Sequence, residues 1–197
     1  AELNFLRYSN KIRNRFVPKI LEFDAVNSIL ILEYIRGVSF SDQLKPSETN
    51  IKDAIFFLKL VNEKKNSAFL ISNQATEGFR KISEHIENVS KRLNSFSHNH
   101  IDPKFQSIAK EKIQMLSDYL DATKSYLGDV LAQKSQLDTL KPEYLCISPG
   151  DFGFHNAILT AKRTVFIDFE YAGWDDPAKL YLDFFFCNWI IVSICIY

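Results

Sequence analysis

The sequence carries no excess of charge of either sign. Its 197 residues include 24 Lys and Arg and 24 Asp and Glu, so the formal net charge is zero. A nucleic-acid-binding domain needs clustered positive charge to hold a phosphate backbone, and we therefore exclude nucleic acid as an expected partner. The composition, 46% hydrophobic and 14% aromatic, is typical of a folded domain with a substantial core.

Cysteine is scarce as well. Cys146, Cys187 and Cys195 are odd in number, widely spaced and set among apolar residues, which favours buried thiols in a reducing compartment over a disulfide framework. We therefore expect a cytoplasmic protein. The N-terminus has neither an initiator Met nor a secretory signal, so we expect the chain to be N-terminally incomplete and to begin within a longer protein.

Long apolar runs are lacking. The most apolar stretch, residues 184–197, is too short and too interrupted for a membrane span, which needs about 20 apolar residues. It predicts a buried helix or strand, and no membrane span is expected. The sequence does not predict an oligomeric state.

Three oxygen-bearing side chains stand out late in the chain: Asp151, Asn156 and Asp168. They lie in the stretches SPGDFGFHN (148–156) and VFIDFEYAG (165–173), which border short apolar runs that predict strands. Phosphoryl transfer needs a carboxylate near the attacking hydroxyl and positioned oxygens for Mg²⁺. In this interpretation Asp151 is the catalytic carboxylate, and Asn156 and Asp168 bind metal. For either motif alone, the alternative is that Asp and Asn only cap turns.

The two motifs together resemble those of the aminoglycoside phosphotransferase and choline kinase superfamily, a small-molecule branch of the protein-kinase fold. The spacing from Asp151 to Asn156 equals that of the kinase catalytic loop, and Asp168-Phe169-Glu170 stands where protein kinases have Asp-Phe-Gly. The resemblance implies an α+β, protein-kinase-like fold, with a remnant of a small-lobe antiparallel sheet and a helical large lobe that carries a catalytic hairpin. It also implies a transferase that uses ATP and Mg²⁺ to phosphorylate a hydroxyl of a small polar molecule, such as a sugar, amino sugar or amino alcohol.

The resemblance implies supporting residues too. His155 within the loop and Glu170 after the metal ligand are expected to support the substrate or the loop. Pro149 stands where the family usually has a His. Leu180 stands where it often has an Asp that binds the loop backbone, and Asp183 is the expected substitute for that Asp.

Near the N-terminus, residues 19–24 and 28–34 predict a β-hairpin. The second run is almost wholly apolar, which predicts a strand covered on both faces. It ends in Leu-Glu-Tyr-Ile-Arg-Gly, which resembles the family's strand leading into the hinge between the lobes. There, the backbone of Glu33, Tyr34 and Ile35 would bind the adenine edge of the nucleotide. The alternative is an ordinary strand followed by a glycine turn.

The resemblance divides the chain into a partial N-lobe with the hinge strand, residues 1–36, and a helical C-lobe with the catalytic and metal-binding loops, residues 37–197. A short helix is predicted over residues 2–9, with Glu2 in the place of the family's lysine-pairing Glu. Between residues 41 and 144, helical periodicity predicts three core-facing apolar stripes. The stripes consist of Ile51, Ala54, Ile55, Leu58 and Val61; of Phe79, Ile82, Ile86, Val89 and Leu93; and of Ile108, Ala109, Ile113, Leu116 and Leu120.

The chain lacks two elements that such a kinase needs. Its six glycines form no Gly-x-Gly-x-x-Gly loop, and no Lys precedes Glu2 to bind the phosphates. We therefore expect the parent protein to be the enzyme and this chain alone to be inactive. The alternative is a non-catalytic kinase-like binding module or a truncated inactive fragment, which Pro149 and Leu180 would favour.

Overall fold

Helices and short antiparallel strands are interspersed along the chain. The computed structural model describes residues 1–40, 44–76, 78–98, 103–134 and 137–187. The helices are α1 (Glu2–Lys11), α2 (Glu48–Glu63), α3 (Ile82–His98), α4 (Gln106–Gln133) and α5 (Pro177–Cys187). The strands are β1 (Ile20–Asp24), β2 (Ile29–Leu32), β3 (Val38–Ser39), β4 (Cys146–Ser148), β5 (Ala157–Leu159), β6 (Thr164–Phe166) and β7 (Gly173–Asp175). The predicted mixture of helices and small antiparallel sheets is confirmed.

The chain separates into two units. One comprises residues 1–78 and 143–197 and contains all seven strands named above; the other comprises residues 79–142 and contains α3 and α4. The predicted lobe boundary after residue 36 falls within the first unit, and the division into lobes stays a prediction.

The N-terminal hairpin pairs β1 with β2, as predicted. Asp24 stabilises the turn of this hairpin, because one of its carboxylate oxygens accepts hydrogen bonds from the backbone N–H groups of Val26 (2.9 Å) and Asn27 (3.1 Å). The prediction that the second strand is covered on both faces is wrong, since Ile29 and Ile31 are 53% and 45% exposed. In the described residues this sheet has two strands, and only one of its faces packs against the core.

The predicted catalytic hairpin pairs β5 with β6, and β3 adds to the outer edge of β5. The predicted pairing within 157–169 is confirmed for the strands themselves. The loop that leads into β5 follows β4, which pairs with β7. Both ends of the predicted catalytic segment are therefore anchored in sheets.

Helix α2 supplies much of the core under these sheets. Its Phe57 is fully buried, with ring centroids 5.3 Å from Phe152 and 5.0 Å from Phe166. The predicted stripe is confirmed at Ala54, Leu58 and Val61, which are buried, but Ile55 is 51% exposed. Phe57 takes its place in the core, because the buried face is rotated relative to the predicted stripe.

The second unit is built on α3 and α4, which pack against each other. Leu93 and Leu120 are buried, as predicted, whereas Ile108 and Leu116 are 59% and 52% exposed. The prediction that all of the third stripe faces a core is wrong at these two positions. A helix of 28 residues that packs against one helix buries a narrower face than a helix covered by several neighbours.

The structure also tests the predictions made from the cysteines and from the C-terminal apolar stretch. Cys146 is a free, buried thiol, as predicted, and the side chains of Cys187 and Cys195 lie outside the described residues. Of the C-terminal apolar stretch, residues 184–187 are helical, and the rest lies outside the described part. Among the described helices, none combines the length and hydropathy of a transmembrane segment.

Candidate functional site

The predicted catalytic loop leaves β4 through a turn held by Ser148. The Ser148 hydroxyl oxygen is buried and accepts a hydrogen bond from the Gly150 backbone N–H at 3.1 Å. The Gly150 carbonyl then accepts one from the N–H of Phe152 at 2.7 Å. Residues 152–154 are buried, whereas Asp151 before them and His155 after them are exposed.

Gly150 is required at this turn by conformation and by space. Its φ is +91°, in the left-handed region that side chains disfavour. A Cβ added there would lie 2.7 Å from the carbonyl carbon and from the Cβ of Tyr171. The loop therefore packs directly on the segment that follows the predicted metal-binding motif.

Asp151 has one engaged and one open carboxylate oxygen. Its Oδ2 lies 3.2 Å from the Nε2 of His155 and 3.5 Å from the Nδ2 of Asn156. The same Asn156 amide nitrogen donates to the Asp151 main-chain carbonyl at 2.9 Å. Within the described residues, Oδ1 has no partner, so it is available to a hydroxyl group. The structure thus places His155 beside the predicted catalytic carboxylate.

Asn156 and Asp168 lie at the open end of the β5–β6 hairpin. The backbone N–H of Ile167 donates to the Asn156 carbonyl at 2.9 Å, which places Asp168 one residue from that contact. Asp168 has φ +64°, a left-handed conformation that Asp tolerates better than most residues. Its side chain is exposed. Neither its carboxylate nor the amide oxygen of Asn156 accepts a hydrogen bond from the described part of the chain.

These open oxygens fit Mg²⁺. The ion is held by one or two protein oxygens together with substrate phosphates and water, rather than by an all-protein cage. In the described ranges, no group of three or more His, Cys, Asp or Glu side chains could hold a metal ion. Asn156 and Asp168 would supply the two protein oxygens.

Glu170 extends the negative charge of the site. The pKa of the Tyr171 phenol is raised by a hydrogen bond to Glu170, and further by the charges of Glu170, Asp168 and Asp151. The three carboxylates therefore act on one phenol. A site with this charge favours a metal ion or a cationic substrate group over an anion.

Leu180, where the family often has a loop-binding Asp, and Asp183, the expected substitute, both have other surroundings. Leu180 is 3% exposed and belongs to the core. The Asp183 carboxylate binds Lys179, four residues earlier on α5, and in the described residues it forms no hydrogen bond to the catalytic loop. Ser148 provides the hydrogen bond to the loop backbone, and sequence analysis missed it because Ser148 lies outside the Asp-to-Asn motif.

Helix α2 fixes the strands on either side of the site through polar side chains that sequence analysis also missed. Asn62 accepts from the N–H of Ile147 at 2.8 Å and donates to its carbonyl at 3.1 Å, which holds β4. Asn50 donates to the Thr164 hydroxyl at 3.1 Å, and Asp53 accepts from the Thr164 N–H at 2.9 Å, which holds β6. The available signal was polar residues beside the apolar stripe of α2.

The predicted adenine-binding segment is partly engaged already. The N–H of Glu33 donates to the Lys19 carbonyl at 2.9 Å, and the Glu33 carboxylate accepts from the Lys19 N–H at 3.1 Å. The backbones of Tyr34 and Ile35 form no backbone hydrogen bond with described residues. Residues 33–36 line a pocket of about 280 Å³ together with residues 160–163 and Val165, which is called the hinge–turn pocket below.

Glu2 lies near the metal-binding segment. Its Oε1 is 3.5 Å from the backbone nitrogen of Phe169, and the ring of Phe5 lies 4.6 Å from the ring of Phe169. Helix α1 therefore contacts the residue that follows Asp168. The predicted pairing of Glu2 with a lysine stays a prediction.

The solved structures that resemble the chain include two kinases. A choline/ethanolamine kinase family protein from Mesorhizobium loti has a TM-score of 0.51 and 17% identity, over 93% of this chain and 53% of that one. Choline kinase from Cryptosporidium parvum has a TM-score of 0.52 and 16% identity, over 94% of this chain and 51% of that one. The chain spans about half the length of each. No family model and no curated protein sequence matches the chain.

At this identity the likeness concerns the fold, and the fold matches the one that the Asp151 and Asp168 motifs predicted. The chain therefore has a fold like that of these choline kinase family proteins.

Proposed function

We propose that the parent protein is an ATP-dependent phosphotransferase acting on a hydroxyl of a small polar molecule such as a sugar, amino sugar or amino alcohol. One observation carries the proposal: Asp151, Asn156 and Asp168 keep side-chain oxygens free of hydrogen bonds within the described residues, around the start of one hairpin. Oxygens held in place without internal partners suit ligands rather than loop stability.

Each residue has a role that matches its surroundings. The Oδ2 of Asp151 is oriented by His155 and Asn156, which leaves Oδ1 to orient the acceptor hydroxyl and accept its proton. Asn156 and Asp168 would hold Mg²⁺, whose chemistry is to neutralise charge on the phosphates being transferred. Glu170 and His155 would then support substrate or loop at the rim. Asp183 is the weakest of the proposed supporting residues, because it binds Lys179.

In this proposal, nucleotide binding depends on Tyr34 and Ile35. Their backbone groups are free to bind adenine, whereas the N–H of Glu33 is engaged by Lys19, so Glu33 would contribute through its carbonyl.

We propose a small-molecule acceptor rather than a protein, because the short interval from Asp168 to Pro177 leaves little room for a peptide-docking loop. The zero net charge supports excluding nucleic acid, and the free thiol of Cys146 supports a cytoplasmic location.

A second candidate is a non-catalytic binding module. The burial of Leu180 favours it, since the α5 position that would brace the loop in this family is committed to the core. Pro149 and the missing glycine-rich loop point the same way. The coding sequence upstream of Ala1 separates the two candidates: a glycine-rich hairpin and a Lys there favour the enzyme, and an in-frame stop favours the module.

The direct experiment uses the full-length parent protein. Asp151→Ala should abolish ATP-dependent product formation from a panel of small polar alcohols, with an unchanged circular dichroism spectrum. Asp129→Ala, an exposed position on α4, is the matched control and should keep wild-type turnover. Turnover retained by Asp151→Ala would refute the role given to that carboxylate.

A further inference from the structure

Three cationic side chains line the hinge–turn pocket. Arg36 comes from the segment after β2, and Lys162 and Arg163 come from the turn between β5 and β6. Arg36 and Lys162 are exposed, and Arg163 is half-buried. Two elements far apart in sequence thus bring three positive charges to one concave surface.

None of the three cations is neutralised within the described ranges. They form no salt bridge there, and the polar contact of the Arg163 guanidinium is the hydrogen bond from its Nε to the Arg15 carbonyl, at 2.6 Å. The carboxylate that lines the pocket is that of Glu33, whose Oε1 already accepts from the Lys19 N–H at 3.1 Å. The pocket lining therefore has a surplus of positive charge in a chain whose net charge is zero.

The turn that carries two of these cations is internally braced. The Thr160 hydroxyl accepts from the N–H groups of Lys162 at 3.2 Å and Arg163 at 3.1 Å, and it donates to the Arg163 carbonyl at 2.8 Å. A second bond runs from the Thr160 N–H to the same carbonyl, at 3.0 Å. A braced turn lowers the entropy lost when its side chains bind a ligand.

The pocket is distinct from the carboxylate site. Residues 160 and 163 close the β5–β6 hairpin, whereas Asn156 and Ile167 pair at its open end. The two pairs are four residue positions apart along each strand, which corresponds to roughly 13 Å at about 3.3 Å per residue. The cations therefore lie well beyond the reach of a hydrogen bond to Asp168 or Asn156.

We propose that the hinge–turn pocket binds a phosphate dianion, either free or as a phosphate monoester. Guanidinium groups match the oxygens of phosphate with paired hydrogen bonds, and two guanidinium groups with one ammonium suit a double negative charge better than a single carboxylate. The pocket shares residues 33–35 with the proposed adenine site. The inference does not rest on the proposed phosphotransferase activity, because the three cationic side chains that carry it have no role in that activity.

Calorimetric titration of the 197-residue chain with inorganic phosphate at low ionic strength tests the proposal. We expect binding in the millimolar range, weakened about tenfold in the double variant R36Q/K162Q, since two surface charges are lost. The control K110Q/K134Q removes two exposed lysines of the other unit and should bind like the wild type. Titration with AMP and with adenosine separates the sources: AMP tighter than phosphate indicates a monoester ligand, and equal affinities indicate that the phosphate group alone is bound.

Three results would refute the proposed phosphate site. They are no heat of binding in the wild type, equal affinity in R36Q/K162Q and the control, and acetate binding as tightly as phosphate. Asp168→Asn separates this inference from the proposed function. Phosphate binding that requires added Mg²⁺, is lost in that variant and is kept in R36Q/K162Q would place the anion at the metal end of the hairpin instead.

Discussion

The Nε2 of His155 lies 3.2 Å from the Oδ2 of Asp151, within one turn of the predicted catalytic loop. His155 therefore contacts the carboxylate oxygen opposite the one left free for a substrate hydroxyl. Since the Asn156 amide nitrogen approaches the same Oδ2, at 3.5 Å, two side chains fix the direction of the open oxygen. We interpret His155 as a residue that positions Asp151 rather than one that exchanges protons with the substrate.

The first prediction concerns that positioning role in the full-length protein. His155→Ala should lower kcat by about tenfold, the equivalent of about 1.4 kcal/mol, because one contact that orients Asp151 is lost. KM for ATP should not change. His155→Gln, which keeps a hydrogen-bond donor, should recover part of the loss. Steady-state kinetics would contradict the role if Ala and Gln lowered kcat equally or if KM for ATP rose instead.

The second prediction concerns the turn before Asp151. Gly150→Ala should destabilise the chain by about 1–3 kcal/mol or more, since its φ of +91° is strained for alanine and the new Cβ would collide with the Tyr171 backbone at 2.7 Å. Gly128→Ala is the matched control, because a Cβ there meets no atom within 4 Å and the position is inside α4. It should stabilise α4 by up to about 1 kcal/mol. Urea unfolding of both variants measures these changes in stability. An unchanged midpoint for Gly150→Ala would contradict this account of the turn.

The third prediction is a loss of stability at alkaline pH. Burial, with smaller contributions from the charges of Asp175 and Asp176, raises the pKa of the Cys146 thiol from 9.0 to about 12. The folded state therefore holds this proton more tightly than the unfolded state. The resulting stability is fully present below pH 9 and falls as the pH rises toward 12, by at most about 1.4 kcal/mol per pH unit.

The measurement is urea unfolding between pH 8 and 11, a range that includes the ordinary thiol pKa of 9.0. Wild type and Cys146→Ala should diverge in slope above pH 9, with the variant losing less stability. Tyr8, whose phenol pKa is raised to about 12 by burial, contributes in the same direction and remains in both proteins. Parallel curves would show that the Cys146 thiol is not protected from ionisation.

Local chemistry made part of the site predictable from the sequence. The N-terminal hairpin is set by neighbouring residues, and its prediction agrees with the observed pairing of β1 with β2. The pairing of β5 with β6 was equally local. When the residues of a motif are close in sequence, the local backbone conformation fixes their relative positions.

The contacts that brace the site are long-range, and no local pattern indicates them. Asn62 binds Ile147 across 85 residues, and Asn50 binds Thr164 across 114. The coverage of β2 was mispredicted for a related reason, since an apolar run does not reveal whether another layer packs on its second face. In α4, Ile108 and Leu116 fit a helical stripe but lie outside the narrow face that meets α3.

The last prediction concerns nucleotide binding by the 197-residue chain itself. The open backbone of Tyr34 and Ile35 and the carboxylate of Asp168 are present, whereas the sequence contains neither the glycine-rich loop nor the lysine that would meet the phosphates. Each missing charge-assisted hydrogen bond would contribute about 1.5–3 kcal/mol, and about 1.4 kcal/mol corresponds to a tenfold change in affinity. Mg·ATP should therefore bind within about tenfold of adenosine and give no measurable turnover. Calorimetry is done in the R36Q/K162Q background, which weakens phosphate binding at the hinge–turn pocket. In that background Asp168→Asn should change the affinity for neither Mg·ATP nor adenosine by more than a few fold. Micromolar binding of Mg·ATP, far tighter than adenosine and lost in Asp168→Asn, would show that the chain completes a phosphate site by another route.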